Sequence, residues 1–229
     1  MADLTSAASR APDAPAAVGA GGDAGVLHAV IDPTTPGVVA GRVSGRSDIE
    51  DALLIARVAA KEKVAFERLY RAYYSRLTRF LERMTRSPEL IDEILDDTML
   101  VVWSRAATFN GTSRASTWIF AIAYNHALKA LRRTREPVDA APDEDASDPA
   151  VGPEPELMAR QARDRMKLML GRLSPEQRAV VELTYYHGYS YQEIAEIACC
   201  PVDTVKTRMF HARRHLKRML SAVGREGMA

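Results

Sequence analysis

The sequence predicts an all-α protein of two small helical domains, joined by a flexible acidic linker and preceded by a disordered N-terminal tail. Apolar residues recur three and four positions apart over long stretches, which is the spacing of amphipathic helices. Serines that precede Pro, or that stand three residues before Gln or Glu, mark several helix starts. No stretch shows a convincing strand pattern. The fold class therefore follows from helical periodicity and from helix-start signals.

The charge distribution divides the chain. The net charge of +1 hides a segregation, because residues 48–135 carry 15 Lys/Arg against 11 Asp/Glu and residues 161–229 carry 12 against seven. Between them, residues 136–160 hold eight acidic residues, one Arg and five prolines, a composition that resists packing. We therefore expect a disordered extension, a first domain, an acidic linker, a second domain and a C-terminal tail, at residues 1–47, 48–135, 136–160, 161–222 and 223–229.

The sequence of the first domain predicts a bundle of three or four helices. Its first helix, in "VAFERLYRAYYSRLTRFLERMTR", is predicted from the spacing of Phe66, Leu69, Tyr73, Leu77, Phe80 and Met84. Ser87 and Pro88 begin a second helix, since Ser caps free N–H groups and Pro tolerates the first helical position. This helix is expected to run to about Ala107. "FNGTS" then breaks the pattern, and residues 118–133 form a third apolar-periodic stretch.

The second domain carries two capping-box patterns, "SPEQ" at Ser174 and "SYQE" at Ser190. They predict helices over residues 175–187, 191–198 and 202–220, with Pro201 suited to opening the last of them. A short helix, a tight turn and a longer basic helix are typical of the helix-turn-helix motif, whose second helix enters the DNA major groove. A helical hairpin that binds no DNA is the alternative.

The last helix, "TVKTRMFHARRHLKRML", has a core-facing arc and a basic face. The arc consists of Val205, Met209, Ala212, Leu216, Met219 and Leu220. Phe210 falls outside this arc, among basic residues. An apolar ring there can pack on thymine methyl groups or sugars, and packing within the protein is the alternative. We predict that Phe210 contacts DNA.

Several classes of protein and site find no support in the sequence. No Cys/His spacing resembles a zinc site, and adjacent Cys199 and Cys200 suit small buried or half-buried positions at a turn. No apolar run of about 18 residues and no signal-like leader appear, so we expect a cytoplasmic protein without membrane insertion. No metal, cofactor or catalytic residue is expected.

Four segments resemble the extracytoplasmic-function group of bacterial sigma factors, the RpoE-like group 4 of the sigma-70 family. They are "AFERLYRAYYSRL", "IDEILDDTMLVVW", "FNGTSRASTWIFAIAYNHALKALRR" and the stretch from "LSPEQRAVVELTYYHGYSYQEIAEI" to "ACCPVDTVKTRMFHARRHLKR". The resemblance implies a non-enzymatic subunit of RNA polymerase that directs transcription initiation from specific promoters, in a stress or envelope response. In this family, region 2 binds the polymerase clamp and opens the minus-ten element, while region 4 binds the flap and reads the minus-thirty-five element.

The resemblance also implies partners. They are core RNA polymerase, promoter DNA and an anti-sigma factor, which can hold the protein at the membrane. No small-molecule substrate is implied, and the free protein is expected to be a monomer.

The resemblance assigns roles to individual residues. The residues that it implies bind polymerase are Asp92, Glu93, Asp96, Asp97 and an exposed Met99. The residues that it implies bind and open the minus-ten element are Asn110, Gly111, Thr112, Ser113, Arg114, Trp118, Asn125, Lys129 and Arg132. The residues that it implies recognise the minus-thirty-five element are Lys206, Thr207, Arg208, Phe210, His211, Arg213 and Arg214.

Alternatives remain for parts of this assignment. Phe120 and Tyr124 are further candidates for base stacking, and Trp118 has an alternative role in the core. The acidic residues can instead be a solvated charge run or a two-metal nuclease site. The chain can also be a stand-alone helix-turn-helix regulator, or a sigma-like decoy that binds an anti-sigma protein.

Overall fold

The computed structural model describes residues 45–85, 87–135, 166 and 168–226. Every regular element in these ranges is helical, which confirms the all-α prediction. The predicted linker, and all but the last residues of the predicted N-terminal tail, lie outside the described residues. None of the described helices is long and apolar enough to cross a membrane.

The first domain contains four α-helices and one short 3-10 turn. They are α1 (Gly45–Ala59), α2 (Lys63–Met84), α3 (Pro88–Arg105), the 3-10 turn Ala106–Thr108 and α4 (Ala115–Arg135). The apolar face predicted for α2 is confirmed, since Leu69, Tyr73, Leu77, Phe80 and Met84 are fully buried. The predicted start of α3 is confirmed as well, because the Ser87 hydroxyl accepts a hydrogen bond from the Leu90 N–H.

Helix α1 had no counterpart among the predicted helices, and it begins inside the segment expected to be disordered. Ile55 and Val58 bury its inner side, and the Tyr73 hydroxyl donates a 2.7 Å hydrogen bond to the buried Asp51 carboxylate. On the outer side, Ile49 and Leu53 are more than 60% exposed. Apolar residues on both sides weaken the amphipathic pattern by which a surface helix is recognised.

The second domain contains α5 (Pro175–Tyr185), α6 (Tyr191–Ile197) and α7 (Val202–Glu226). Both predicted capping boxes are present, at Ser174 and at Ser190. The turn between α6 and α7 passes through Cys199, which has a positive φ of 47°. Cys200 is half-buried, as expected, but Cys199 is exposed, which corrects its expected position. Helix α7 continues past residue 222 into the expected C-terminal tail.

The Ser174 cap gives a first prediction. Ser174→Ala removes the hydroxyl that accepts from the Gln177 N–H, and a half-buried N–H of the first helical turn then loses its hydrogen-bond partner. We expect a loss of about 1 kcal/mol in the free energy of unfolding. Urea titration followed by circular dichroism measures it, and Ser174→Asp, which keeps an acceptor, serves as the control. Equal stability of Ser174→Ala and the wild type would contradict the role of the cap.

The two domains pack against each other. Helices α5 and α6 of the second domain contact α2 and α4 of the first. Buried residues of both domains form one continuous apolar cluster, in which Phe80 and Phe120 meet residues of the loop between α5 and α6. The protein is therefore closed, with its two basic domains in direct contact.

Candidate functional site

Helix α7 separates its core side from its basic side as predicted. Four residues of the predicted inner arc are at most 1% exposed, which confirms that this side faces the core: Val205, Met209, Ala212 and Leu216. The last two, Met219 and Leu220, are half-buried. The Phe210 side chain is 62% exposed on the opposite side. Phe210 therefore does not pack in the core, and its ring lies 5.5 Å from the His211 ring on the same helix.

The other recognition-helix candidates fall into two groups. Lys206, Thr207, His211 and Arg214 are exposed on the side of Phe210. Arg208 and Arg213 are half-buried and engaged: Arg213 donates a 2.6 Å hydrogen bond to the Tyr185 hydroxyl, and Arg208 lies 3.6 Å from the Cys200 Sγ. The first group offers a surface for a polyanion, whereas the second group helps to hold α7 in place.

The loop between the 3-10 turn and α4 is exposed and locally ordered by its own side chains. Asn110 Oδ1 accepts hydrogen bonds from the N–H and the hydroxyl of Thr112, at 3.1 and 2.7 Å. Gly111 has a φ of 73°, in the left-handed region, and no heavy atom lies within 4 Å of the position that a Cβ would occupy. Ser113 is half-buried. The open side of Gly111 leaves room for a ligand to approach the backbone closely.

Arg114 ends this loop with two carboxylate partners. Its guanidinium lies 3.3 Å from Asp48 on α1 and 2.9 Å from Glu193 on α6. Arg114 therefore joins the two domains in the closed protein.

Helix α4 exposes three of the polar residues predicted to contact DNA. Asn125, Lys129 and Arg132 are exposed and, at spacings of four and three, share one side of the helix. Trp118 is half-buried, with its ring 5.4 Å from the ring of Phe109.

The prediction that Phe120 and Tyr124 are available for base stacking is wrong for the arrangement in which the two domains are in contact. Phe120 is fully buried and Tyr124 is only 2% exposed. The loop between α5 and α6 of the second domain packs on Phe120. Burial raises the pKa of Tyr124, and the positive charge of Arg208 on α7 partly opposes this shift. Neither ring can therefore meet a base while the domains remain in contact.

The predicted exposure of Met99 is also wrong. Met99 is only 3% exposed and belongs to the core, while its neighbour Leu100 is 63% exposed. Residues 99–102 are all apolar, so local periodicity cannot say which of them faces outward. The exposed apolar residue of α3 is Leu100.

The acidic residues of α3 form two stripes with different surroundings. Glu93 and Asp97 point towards α4, where Arg133 lies 2.8 Å from Glu93 and His126 lies 3.5 Å from Asp97. Asp92 and Asp96 are exposed, and neither has an ion pair within the described part of the chain. One pair of acids is therefore engaged inside the domain, and the other pair is available to a partner.

Asp92 and Asp96 border a pair of tyrosines on α2. Tyr70 and Tyr74 are one turn apart with ring centroids at 5.8 Å, and Tyr74 is 46% exposed. Partial burial raises the pKa of Tyr70, and the Asp96 and Asp92 carboxylates raise it further. Leu100 follows Asp96 by one helical turn. We call this surface the tyrosine–acid face and define it as Tyr70, Tyr74, Asp92, Asp96 and Leu100.

The described residues contain no group of three or more His, Cys, Asp or Glu side chains that could hold a metal ion. Within the described residues, the acidic side chains of α3 therefore do not belong to a group that could bind a metal ion. A two-metal nuclease site needs such a set, so that alternative finds no support in the described ranges.

Two family models match the chain, one for each domain. Residues 69–136 match "Sigma-70 region 2", and residues 163–216 match "Sigma-70, region 4". Among curated proteins, the chain is 32% identical over 179 residues to the ECF RNA polymerase sigma factor SigM of Mycobacterium tuberculosis (strain ATCC 25618 / H37Rv), with 77% of this chain and 87% of SigM covered. It is 27% identical over 187 residues to the RNA polymerase sigma-H factor of Pseudomonas aeruginosa, with 77% and 97% covered.

Two solved structures have a similar fold. CnrH, solved in complex with the cytosolic domain of CnrY, gives a TM-score of 0.58 at 24% identity, covering 76% of this chain and 98% of CnrH. The sigma factor RpoE of Bartonella quintana, solved with the anti-sigma factor NepR, gives a TM-score of 0.51 at 22% identity, covering 68% and 96%. At these identities the likeness concerns the fold alone.

Proposed function

We propose, because the chain belongs to the extracytoplasmic-function group of the sigma-70 family, that it binds core RNA polymerase and directs promoter-specific transcription initiation. The observation that carries this function is the presence of two exposed surfaces of opposite character. One is the basic side of α7 around Phe210, and the other is the tyrosine–acid face. A protein that must hold DNA and a protein partner at once requires both.

The basic side of α7 suits the major groove of the minus-thirty-five element. Lys206 and Arg214 can neutralise phosphates, which positions the helix and makes binding salt-dependent. Phe210 and His211 lie on the same side, where they can reach base edges. An exposed phenyl ring gains free energy by packing on thymine methyl groups, which gives sequence preference without a hydrogen bond.

The exposed side of α4 and the loop before it suit the minus-ten element. Lys129 and Arg132 can hold the backbone of a strand, while the Asn125 amide can donate to and accept from a base edge. The loop around Gly111 is open, so a base that leaves the duplex can approach its backbone. Unstacking costs a few kcal/mol, and contacts with the flipped base must recover that cost.

The tyrosine–acid face suits the polymerase clamp rather than DNA. Its two free carboxylates repel phosphates but attract a basic protein surface. Tyr70, Tyr74 and Leu100 supply aromatic and apolar area, the residue types that dominate binding energy at protein interfaces. Leu100 takes the role that the sequence prediction gave to Met99.

Regulation by an anti-sigma protein is part of this proposal. CnrH and the Bartonella quintana RpoE were each solved with a bound partner, CnrY and the anti-sigma factor NepR. A chain of the same fold offers a comparable target, so we expect a dedicated anti-sigma partner that restrains this protein until a stress signal releases it.

One transcription experiment separates this function from its rivals. Purified core RNA polymerase and this protein are incubated with a promoter library, and run-off transcripts are sequenced. A sigma factor yields transcripts with common upstream elements. A stand-alone regulator binds DNA without polymerase and yields none, whereas a decoy binds only an anti-sigma protein. Absence of both transcripts and polymerase binding would overturn the proposal.

A further inference from the structure

The outer side of α1 carries an apolar stripe that no described residue covers. Ile49 is 67% exposed and Leu53 is 62% exposed. Ala56, which follows Leu53 by three positions, is exposed as well. Residues at spacings of four and three lie on one side of a helix, so the three side chains form a continuous row. We call this row of Ile49, Leu53 and Ala56 the α1 stripe.

Seven large apolar side chains are exposed among the described residues, and the α1 stripe holds two of them. Tyr74, Leu100 and Phe210 belong to the surfaces already assigned to a protein partner and to DNA. The remaining two, Val64 and Leu168, lie outside α1. A single exposed apolar residue is ordinary, whereas neighbouring ones on one helix face are the pattern of a contact surface.

The inner side of α1 already faces its own domain. The buried Asp51 carboxylate accepts a 2.7 Å hydrogen bond from Tyr73 of α2, and Asp48 accepts one of 3.3 Å from the Ser116 hydroxyl of α4. Both partners lie in the first domain. The α1 stripe lies on the opposite side of the helix, so the packing of the first domain does not use it.

The segment just before α1 has an apolar half. Residues 1–25 contain two residues of the types Val, Leu and Ile, whereas residues 26–43 contain seven. The latter also hold one Asp and one Arg, whose charges cancel. Persistent disorder is typical of segments with low hydrophobicity and high net charge, and residues 26–43 have neither property. The prediction of a disordered extension therefore suits residues 1–25 better than residues 26–43.

Residues 26–43 also stand in the right place to reach the stripe. Residues 44–48 alone separate them from Ile49, and Gly41 and Ser44 beside this junction are typical turn residues. The stripe is about 10 Å long, at about 1.5 Å per helical residue. Residues 37–43 span about 23 Å when extended, so this run alone is long enough to cover it.

We propose that residues 26–43 fold back on the first domain and pack their aliphatic side chains on the α1 stripe. The contact needs little area, because the short tether keeps the segment at an effective concentration of about a millimolar beside the stripe. Docking shields Ile49 and Leu53 from water and adds a second layer of packing to α1. The inference goes beyond the function proposed above and does not depend on it.

A second copy of the chain fits the stripe less well. Stable interfaces between separate proteins bury more than about 1,000 Å² in total, and two aliphatic side chains with one alanine supply only a small part of that. A separate chain also lacks the tether that raises the local concentration. The small size of the stripe therefore favours an occupant from the same chain.

Photo-crosslinking identifies the occupant directly. The full-length chain carries Leu53→benzoylphenylalanine, which keeps an apolar side chain at the exposed position. After irradiation, proteolysis and mass spectrometry locate the crosslinked residue. We expect crosslinks within one chain, between position 53 and residues 26–43. Adding Ile49→Lys should lower their yield about fivefold, because it replaces one of the two large apolar contacts by a charge.

Leu168→Lys is the matched control for Ile49→Lys. Leu168 is 59% exposed in the second domain, so its replacement should leave the crosslink yield unchanged. Crosslinks that join two chains would overturn the proposal in favour of a second copy. Crosslinks within one chain that Ile49→Lys does not reduce would reveal random collisions of a tethered segment, and a complete lack of crosslinks would reveal a solvated stripe. Either result would also overturn the proposal.

Hydrogen exchange of the full-length chain gives a second readout, without an unnatural residue. Leu and Lys have nearly equal helix propensities, so Leu53→Lys should leave α1 unchanged if Leu53 is solvated. With the stripe covered, the variant loses a packing contact, and the amides of α1 should exchange about threefold to tenfold faster than in the wild type. Leu168→Lys, the same change at a similar exposure, should leave the exchange of α1 as it is.

Equal exchange of the α1 amides in Leu53→Lys and in the wild type would contradict the docking of residues 26–43. Neither measurement involves polymerase or DNA. Failure of the transcription experiment would therefore leave the docking intact, and failure of the docking would leave the proposed function intact.

Discussion

Replacing Asp96 by Lys is expected to weaken binding to core RNA polymerase about 100-fold, which corresponds to about 2.7 kcal/mol. Asp96 is exposed at the centre of the tyrosine–acid face and has no ion pair within the described residues. A lysine there replaces an attraction by a repulsion, and like charges at an interface cost several kcal/mol. The thermal midpoint should change little, because an exposed helical position tolerates Lys well. Fluorescence anisotropy of the labelled protein with core polymerase measures the affinity.

Asp97→Lys is the matched control. Asp97 is the next residue, but its carboxylate faces His126 of α4, at 3.5 Å, rather than the tyrosines. We expect an effect on polymerase affinity that is at least about tenfold smaller than that of Asp96→Lys, since solvent-exposed pairs contribute little. Equal losses for both variants would show that polymerase responds to net charge alone, and would contradict the tyrosine–acid face as a specific contact surface.

Phe210→Ala is expected to reduce specific binding to the minus-thirty-five element about 30-fold, or about 2 kcal/mol, within the range of a single lost base contact. Binding to unrelated DNA should change little, because phosphate contacts carry that affinity. The unfolding midpoint should stay within a degree or so, as the ring is 62% exposed. Electrophoretic mobility shifts on specific and scrambled duplexes at one salt concentration give both affinities.

Met209→Ala supplies the opposite control at the neighbouring position. Met209 is only 1% exposed and packs in the core of the second domain. Its truncation should cost about 2–5 kcal/mol of stability. The surviving folded fraction should still discriminate specific from scrambled DNA. If Phe210→Ala instead destabilised the fold and kept its sequence preference, Phe210 would be a structural residue.

Elements with strong local signals could be predicted from the sequence. The capping boxes at Ser174 and Ser190 and the start of α3 at Ser87 depend on residues within one turn of each other. The buried face of α2 and the inner arc of α7 depend on apolar spacing within one helix. The exposed position of Phe210 follows from the same arc. Each of these features is decided by neighbours in sequence, so one chain is enough to find it.

Other features have weak or ambiguous local signals. The apolar run at residues 99–102 leaves open which of its members faces outward, and packing of α3 on α2 and α4 selects Met99 for the core and Leu100 for the surface. The four acids of α3 look alike in sequence. Only the position of α4 separates them, since Arg133 and His126 engage Glu93 and Asp97.

The sequence by itself determined the all-α class, most helices, the helix-turn-helix motif and the family resemblance, because these depend on spacing, capping and residue identity along the chain. The tertiary structure alone decided how the two domains meet. Arg178 and Met84 are 94 residues apart, and His187 and Phe120 come from different domains. Contacts over such separations leave no periodic trace in the sequence, since they depend on how whole surfaces fit together.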